Sequence, residues 1–130
     1  MLSESIKRAD WKSEKHVPAI EAPEAVKSGE FFSVTASVGK AVAHPNTTEH
    51  HIRWITLYFL PEGATAPFQV AHAEFTAHGE SAAGANQGPV FTGAETTVSL
   101  KLTQSGTLLA LAYCNIHGLW ETSHAIRVDA

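Results

Sequence analysis

The feature that most restricts what this chain can fold into is an apolar alternation with period two, repeated along its length and nowhere replaced by a helical period. Phe32, Val34, Ala36 and Val38 alternate with Phe31, Ser33, Thr35 and Ser37. Ala71, Ala73, Phe75 and Ala77 alternate with His72, Glu74, Thr76 and His78, and Val98, Leu100 and Leu102 with Thr97, Ser99 and Lys101. Such segments turn one set of side chains inward and the other to solvent, as half-buried antiparallel strands do. Residues 52–60 and 108–114 are apolar on both faces, which predicts central strands, and residues 124–128 predict the last one. Ser28-Gly29, His44-Pro45-Asn46, Pro61-Glu62-Gly63, residues 83–89 and Ser105-Gly106 have turn and loop compositions. Short strands between such turns predict an all-β sandwich or barrel of about seven strands. The run at 83–89 reads as a long loop rather than a linker, so residues 1–130 are expected to form a single domain.

A domain of 130 residues does not need covalent staples, because it can bury roughly two-thirds of its unfolded surface. Hydrophobic residues at 44% and charged residues at 17% suit a packed core and exclude a disordered chain. The net charge of −4 offers no basic field for nucleic acid or an anionic membrane. No apolar run approaches the roughly 20 residues of a membrane span, and residues 1–10 lack a signal-peptide core. With one cysteine no internal disulfide can form, and the expected location is cytoplasmic.

The chemistry gathers in three segments: Glu14-Lys15-His16-Val17-Pro18, His44-Pro45-Asn46-Thr47-Thr48-Glu49-His50-His51-Ile52, and Cys114-Asn115-Ile116-His117-Gly118-Leu119-Trp120. Zinc, copper and iron all accept imidazole and thiolate. Four histidines and one cysteine exceed what tetrahedral zinc takes and are richer in nitrogen than a blue-copper site. Five such ligands suit a mononuclear iron with one open position. By spacing alone Cys114 reads equally as a ligand and as a small buried hydrophobe extending the face of Leu108, Ala110 and Ala112. His16 by itself reads as solvated. Pro45 restricts a loop that can fold His44 and His50 toward one centre. His51 on a strand points away from His50 and is expected either to support a ligand from behind or to pack. His72 and His78 fall on the polar face of their strand and are expected in solvent. His124 shares a face with Ile126 and Val128, and Trp11, Trp54 and Trp120 read as core or interface residues.

Taken together, the three segments resemble the one-iron superoxide reductases, or neelaredoxins, and the catalytic domain of desulfoferrodoxins. The resemblance runs over essentially the whole chain, and the single cysteine leaves no four-cysteine iron site, which points to the one-iron class. It implies an immunoglobulin-like antiparallel β-sandwich or barrel and one iron per chain, cycling between Fe2+ and Fe3+. His16, His44, His50 and His117 would hold that iron in a plane, with Cys114 axial and opposite an open site. A thiolate there pushes electron density onto iron, and the N–H groups of Ile116 and His117 would tune the sulfur. The resemblance gives Glu14 the sixth position of the resting ferric iron and Lys15 the positive charge that steers superoxide, with Lys40 a second candidate. The implied reaction is one-electron reduction of superoxide to hydrogen peroxide. Rubredoxin or a similar donor would re-reduce the iron, in a homo-oligomer (tetramer or dimer). Two other readings remain: a cupredoxin, which needs an axial methionine where the chain offers only Met1, and an immunoglobulin-like binding module in which the histidines and Cys114 are incidental.

Overall fold

The computed structural model describes residues 1–130. A short 3-10 turn at Leu2–Glu4 precedes eight strands: β1 (Ala19–Glu21), β2 (Ala25–Lys27), β3 (Phe31–Ser37), β4 (Ile52–Pro61), β5 (Phe68–Glu74), β6 (Glu95–Lys101), β7 (Gly106–Cys114) and β8 (Gly118–Asp129). They form a three-stranded sheet in the order β1-β3-β6 and a five-stranded sheet in the order β2-β8-β7-β4-β5. Every pairing is antiparallel except that of β2 with β8. The all-β sandwich expected from the alternation, immunoglobulin-like as the resemblance implies, is therefore present. No helix is long and apolar enough to cross a membrane.

The two strands read as apolar on both faces, β4 and β7, pair with each other and each with a further neighbour. Their inward residues Ile55, Leu57, Phe59, Leu108, Ala110 and Ala112 meet Val34, Ala36 and Val38 of the opposite sheet. Each large side chain buried this way contributes roughly 1.5–3 kcal/mol. Cys114 belongs to the same cluster at 1% exposure, so one end of the core runs directly into the candidate metal ligands.

Three differences from the sequence reading have physical causes. The last strand begins at Gly118 rather than near His124, because pairing with β7 from Cys114↔Gly118 to Gly106↔Ile126 holds residues that show no alternation. The edge strands β1 and β2 are three residues long, too short for a period to register. His78, expected in solvent, is buried at 2% exposure. The strand ends at Glu74, so the alternation that put His78 on the polar face stops before reaching it, and the chain turns the ring inward beside a bridge to Phe91.

Candidate metal centre

Three local devices bring the chemical residues to one end of the sandwich. Strand β7 stops at Cys114, and the turn Asn115-Ile116-His117 leads into β8 at Gly118, whose φ of 81° is a conformation that favours glycine. This turn folds His117 back over the sulfur: its N–H donates to Cys114 Sγ at 3.4 Å, and Nδ1 lies 3.9 Å from that sulfur. At the start of β4 the pairing with β7 slips between Ile52 and Trp54, a bulge that re-aims the residues before it. Asn115 ties the two segments together. Its Oδ1 accepts from His51 N–H at 2.9 Å, its N–H donates to His51 O at 3.2 Å, and its Nδ2 donates to Glu49 O at 2.9 Å. The N-terminal arm is pinned on β8 by Lys7, which bonds Leu119 O and Glu121 N–H, and then turns at Asp10 to deliver His16. There the His16 ring stacks on Trp120 at 5.0 Å and 15°.

The four imidazoles stand at the corners of a square. Going round it, ring centroids are separated by 5.0 Å (His16–His44), 4.8 Å (His44–His50), 4.9 Å (His50–His117) and 4.6 Å (His117–His16), while the diagonal His16–His50 is 6.2 Å. His117 Nδ1 lies 3.1 Å from His16 Nε2 and 3.2 Å from His50 Nε2. Cys114 Sγ lies 3.6 Å from His44 Nε2. The ligand-capable atoms of His16, His50, Cys114 and His117 all fall within 4.8 Å of one another. His16, His44 and His50 thus offer Nε2, and His117 offers Nδ1.

Hydrogen bonds on the outer nitrogens fix which atom points inward. His44 Nδ1–H donates to Pro45 O at 2.6 Å, and His16 Nδ1–H to Glu14 Oε1 at 2.9 Å. Both acceptors are oxygens without a proton, so each neutral ring turns an Nε2 lone pair toward the cluster. Burial, with smaller repulsion from His16, His50 and Lys15, pushes the His44 pKa down to about 4 despite the Pro45 carbonyl. Burial also lowers His50, helped by His117, His16 and Lys15. Neutral imidazole is the form that binds a metal. Nitrogen ligands at right angles, each about 2.1 Å from a metal, would sit roughly 3 Å apart, close to the His16–His117 and His50–His117 spacings. The donor set fits a borderline transition metal.

Glu14 lies against this square, and the charge of Lys15 is felt at His44 and His50. The Glu14 carboxylate accepts from the His16 backbone N–H at 2.5 Å and from its ring on the side away from the other imidazoles. Burial raises the Glu14 pKa, but these bonds and the charge of Lys15 outweigh it and hold the group below the usual carboxylate range. Lys40, the second cation considered, pairs with Glu21 at 3.2 Å instead. Ile116 N–H makes no bond to the sulfur, so His117 alone supplies the backbone donor. The pattern gave no sign of the Trp120 ring under His16 or of the Asn115 bridge, since both depend on which strands become neighbours. The adjacency of Asn115 to Cys114 was the one available cue.

Comparison with known proteins agrees with this geometry. The desulfoferrodoxin family model matches residues 8–123. The neelaredoxin of Megalodesulfovibrio gigas is 56% identical over 125 residues, covering 96% of each chain. The superoxide reductase of Pyrococcus furiosus is 55% identical over 121 residues, covering 93% of this chain and 95% of its own. The superoxide reductase (neelaredoxin) of Archaeoglobus fulgidus in its reduced form superposes with a TM-score of 0.87 at 48% identity, over 95% of this chain and 98% of that one. A match of this extent, over a sandwich that gathers four imidazoles around one thiol, places the chain in the desulfoferrodoxin family.

Proposed function

We propose that the chain is a superoxide reductase whose His16, His44, His50, His117 and Cys114 would together hold one iron. The observation that carries this reading is the imidazole square with a buried sulfur beside it, 3.6 Å from His44 Nε2 and 3.9 Å from His117 Nδ1. Bound there as Fe2+, iron supplies the single electron that superoxide accepts. The chain does the rest. Cys114 donates electron density from inside the core, and the His117 N–H on its sulfur moderates that donation. Lys15 presents a cation to an arriving anion in a protein of net charge −4. Two protons reach the product through water with Lys15 assisting, which balances superoxide, one electron and two protons against hydrogen peroxide. Glu14, which here accepts from the His16 backbone and ring, would be the carboxylate available to the oxidised metal. Glu14→Ala should leave the superoxide step largely intact and alter the absorption spectrum of the oxidised protein. Rubredoxin or a similar small redox protein returns the electron, and the working unit is a dimer or tetramer in the cytoplasm.

Support for iron over copper comes from the ligand count and from Met1. A cupredoxin centre uses a weak axial methionine, and the chain's one methionine is 92% exposed at the terminus. Elemental analysis of protein produced without a metal-affinity tag, followed by rapid mixing with superoxide, tests the proposal. About one iron per chain (the occupancy a five-ligand site implies) and peroxide formation without oxygen release are expected. Copper in that place, or oxygen released in step with peroxide, would overturn it.

A further inference from the structure

Beneath the loop that carries His44 and His50 lies a second histidine pair that the reading above leaves unused. His51 and His78 stack face to face, with ring centroids 3.5 Å apart and an interplanar angle of 5°. They are 6% and 2% exposed. An imidazole buried this deeply is costly unless its nitrogens meet polar partners, and both nitrogens of His78 face oxygens, to one of which a neutral ring donates. His78 Nε2 meets Phe75 O at 2.7 Å, and Nδ1 meets Asn46 Oδ1 at 3.0 Å. The Asn46 amide cannot be turned the other way round without loss, because its Nδ2 already donates to Thr92 O at 3.0 Å.

A buried histidine whose nitrogens both face oxygens is most simply a core residue. What separates His78 from that reading is where its bonds go. The loop between His44 and His50 has one backbone bond of its own, Thr47 N–H to His50 O at 3.0 Å. Its second half is held from several sides: Thr48 N–H donates to Asn86 Oδ1 at 2.8 Å, Asn86 Nδ2 reaches the Glu49 carboxylate, and Asn115 Nδ2 reaches Glu49 O. The half that carries His44 has fewer anchors. His44 Nδ1 bonds only the neighbouring Pro45 carbonyl, and Asn46 is the next residue with a tertiary partner. Its Oδ1 rests on His78 and its Nδ2 on Thr92. The pair grips the middle of the loop as well, since Thr48 Oγ1 donates to His78 O at 2.7 Å and His51 Nδ1–H donates to Thr47 O at 2.8 Å.

We propose that His78 is a positioning residue for the metal centre: through Asn46 it fixes where His44 stands in the imidazole square. The proposal rests on the five-ligand reading and adds a named residue outside it. The segment around His78 is built to keep the ring in place. At Gly79 a Cβ would come within 2.5 Å of Phe91 and 3.0 Å of the Asn86 backbone, so no larger residue fits without displacing them. Because ligand-orienting partners commonly change metal affinity by about tenfold or more when removed, the effect should be read on the metal rather than on turnover.

The experiment uses the metal-loaded full chain. His78→Ala, His78→Gln and Asn46→Ala are compared with the unchanged protein for metal release to a chelator and for the visible spectrum of the oxidised centre. Far-UV circular dichroism checks the fold of each. His78→Ala is expected to stay folded, to release metal about tenfold faster and to shift the spectrum. His78→Gln, whose amide can still donate to Asn46, should recover most of both. A folded His78→Ala with release rate and spectrum indistinguishable from the unchanged protein overturns the proposal. Should His78→Ala fail to fold, Asn46→Ala decides, because Asn46 is exposed and its loss removes the link to His78 along with one bond to Thr92 O. Fast release then supports the proposal, and unchanged release overturns it. Failure of the five-ligand reading would show in the unchanged protein, which would then hold no metal, whereas failure of this inference shows only in the variants.

Discussion

Cys114 is a core residue and a candidate ligand at once, and the two roles do not conflict. Its Cβ continues the inward face of Leu108, Ala110 and Ala112, and its sulfur emerges at the end of that face among imidazoles. Two of the imidazoles, His44 and His50, are tuned by burial. Between the pH at which His44 titrates in the fold, about 4, and its ordinary value of 6.5, the unfolded chain binds a proton that the fold refuses. The metal-free protein should therefore lose stability as pH falls through that window, with no further loss from this group below it. Urea midpoints measured across the window check this, and His44→Gln should flatten the slope. A midpoint that rises on acidification would contradict it. Lys15 acts at longer range. It makes no salt bridge, and its charge is felt at His44 and His50. Lys15→Ala should slow the superoxide step by about tenfold at low ionic strength, and the penalty should shrink as salt screens it. Stopped-flow rates over a salt series measure both, and a loss that salt does not change would remove the steering role.

At the scale of elements, β7 and the turn after it decide the geometry of the centre. Side chains alternate across a strand, so a single residue inserted between Tyr113 and Cys114 would carry the sulfur to the other face. The expected result is a folded protein without metal, checked by circular dichroism and metal analysis; retained metal would mean that the turn, not the strand, places Cys114. The strands were legible wherever one face meets the core and the other meets solvent, as in β3 and β6. Legibility failed where pairing alone holds the backbone. The first half of β8 has no alternation and is a strand because β7 lies alongside it. His78 shows the reverse error: the alternation continued on paper past Glu74, where the strand had stopped.

For the whole molecule, the candidate ligands hang on a sandwich that does not depend on them. Of these residues only Cys114 belongs to the main hydrophobic cluster. Removing the metal should leave the β-sheet spectrum intact and lower the thermal midpoint, because a ligand that binds only the folded state adds stability. Loss of the sheet signal on chelation would show instead that the metal organises the fold. The sequence by itself determined the β class and the two central strands, since periodicity is a local property that survives without coordinates. The residues gathered at the centre were legible only through the resemblance of three segments to a known family, because by spacing alone Cys114 reads equally as packing and His16 as solvated. Only the tertiary structure decided which ring nitrogen each histidine offers, that Glu14 rests on His16, and that His78 lies buried beneath the loop of His44 and His50. Each of these depends on where one backbone segment crosses another, with spacings fixed by hydrogen bonds between residues far apart in the chain, and no local pattern encodes such a crossing.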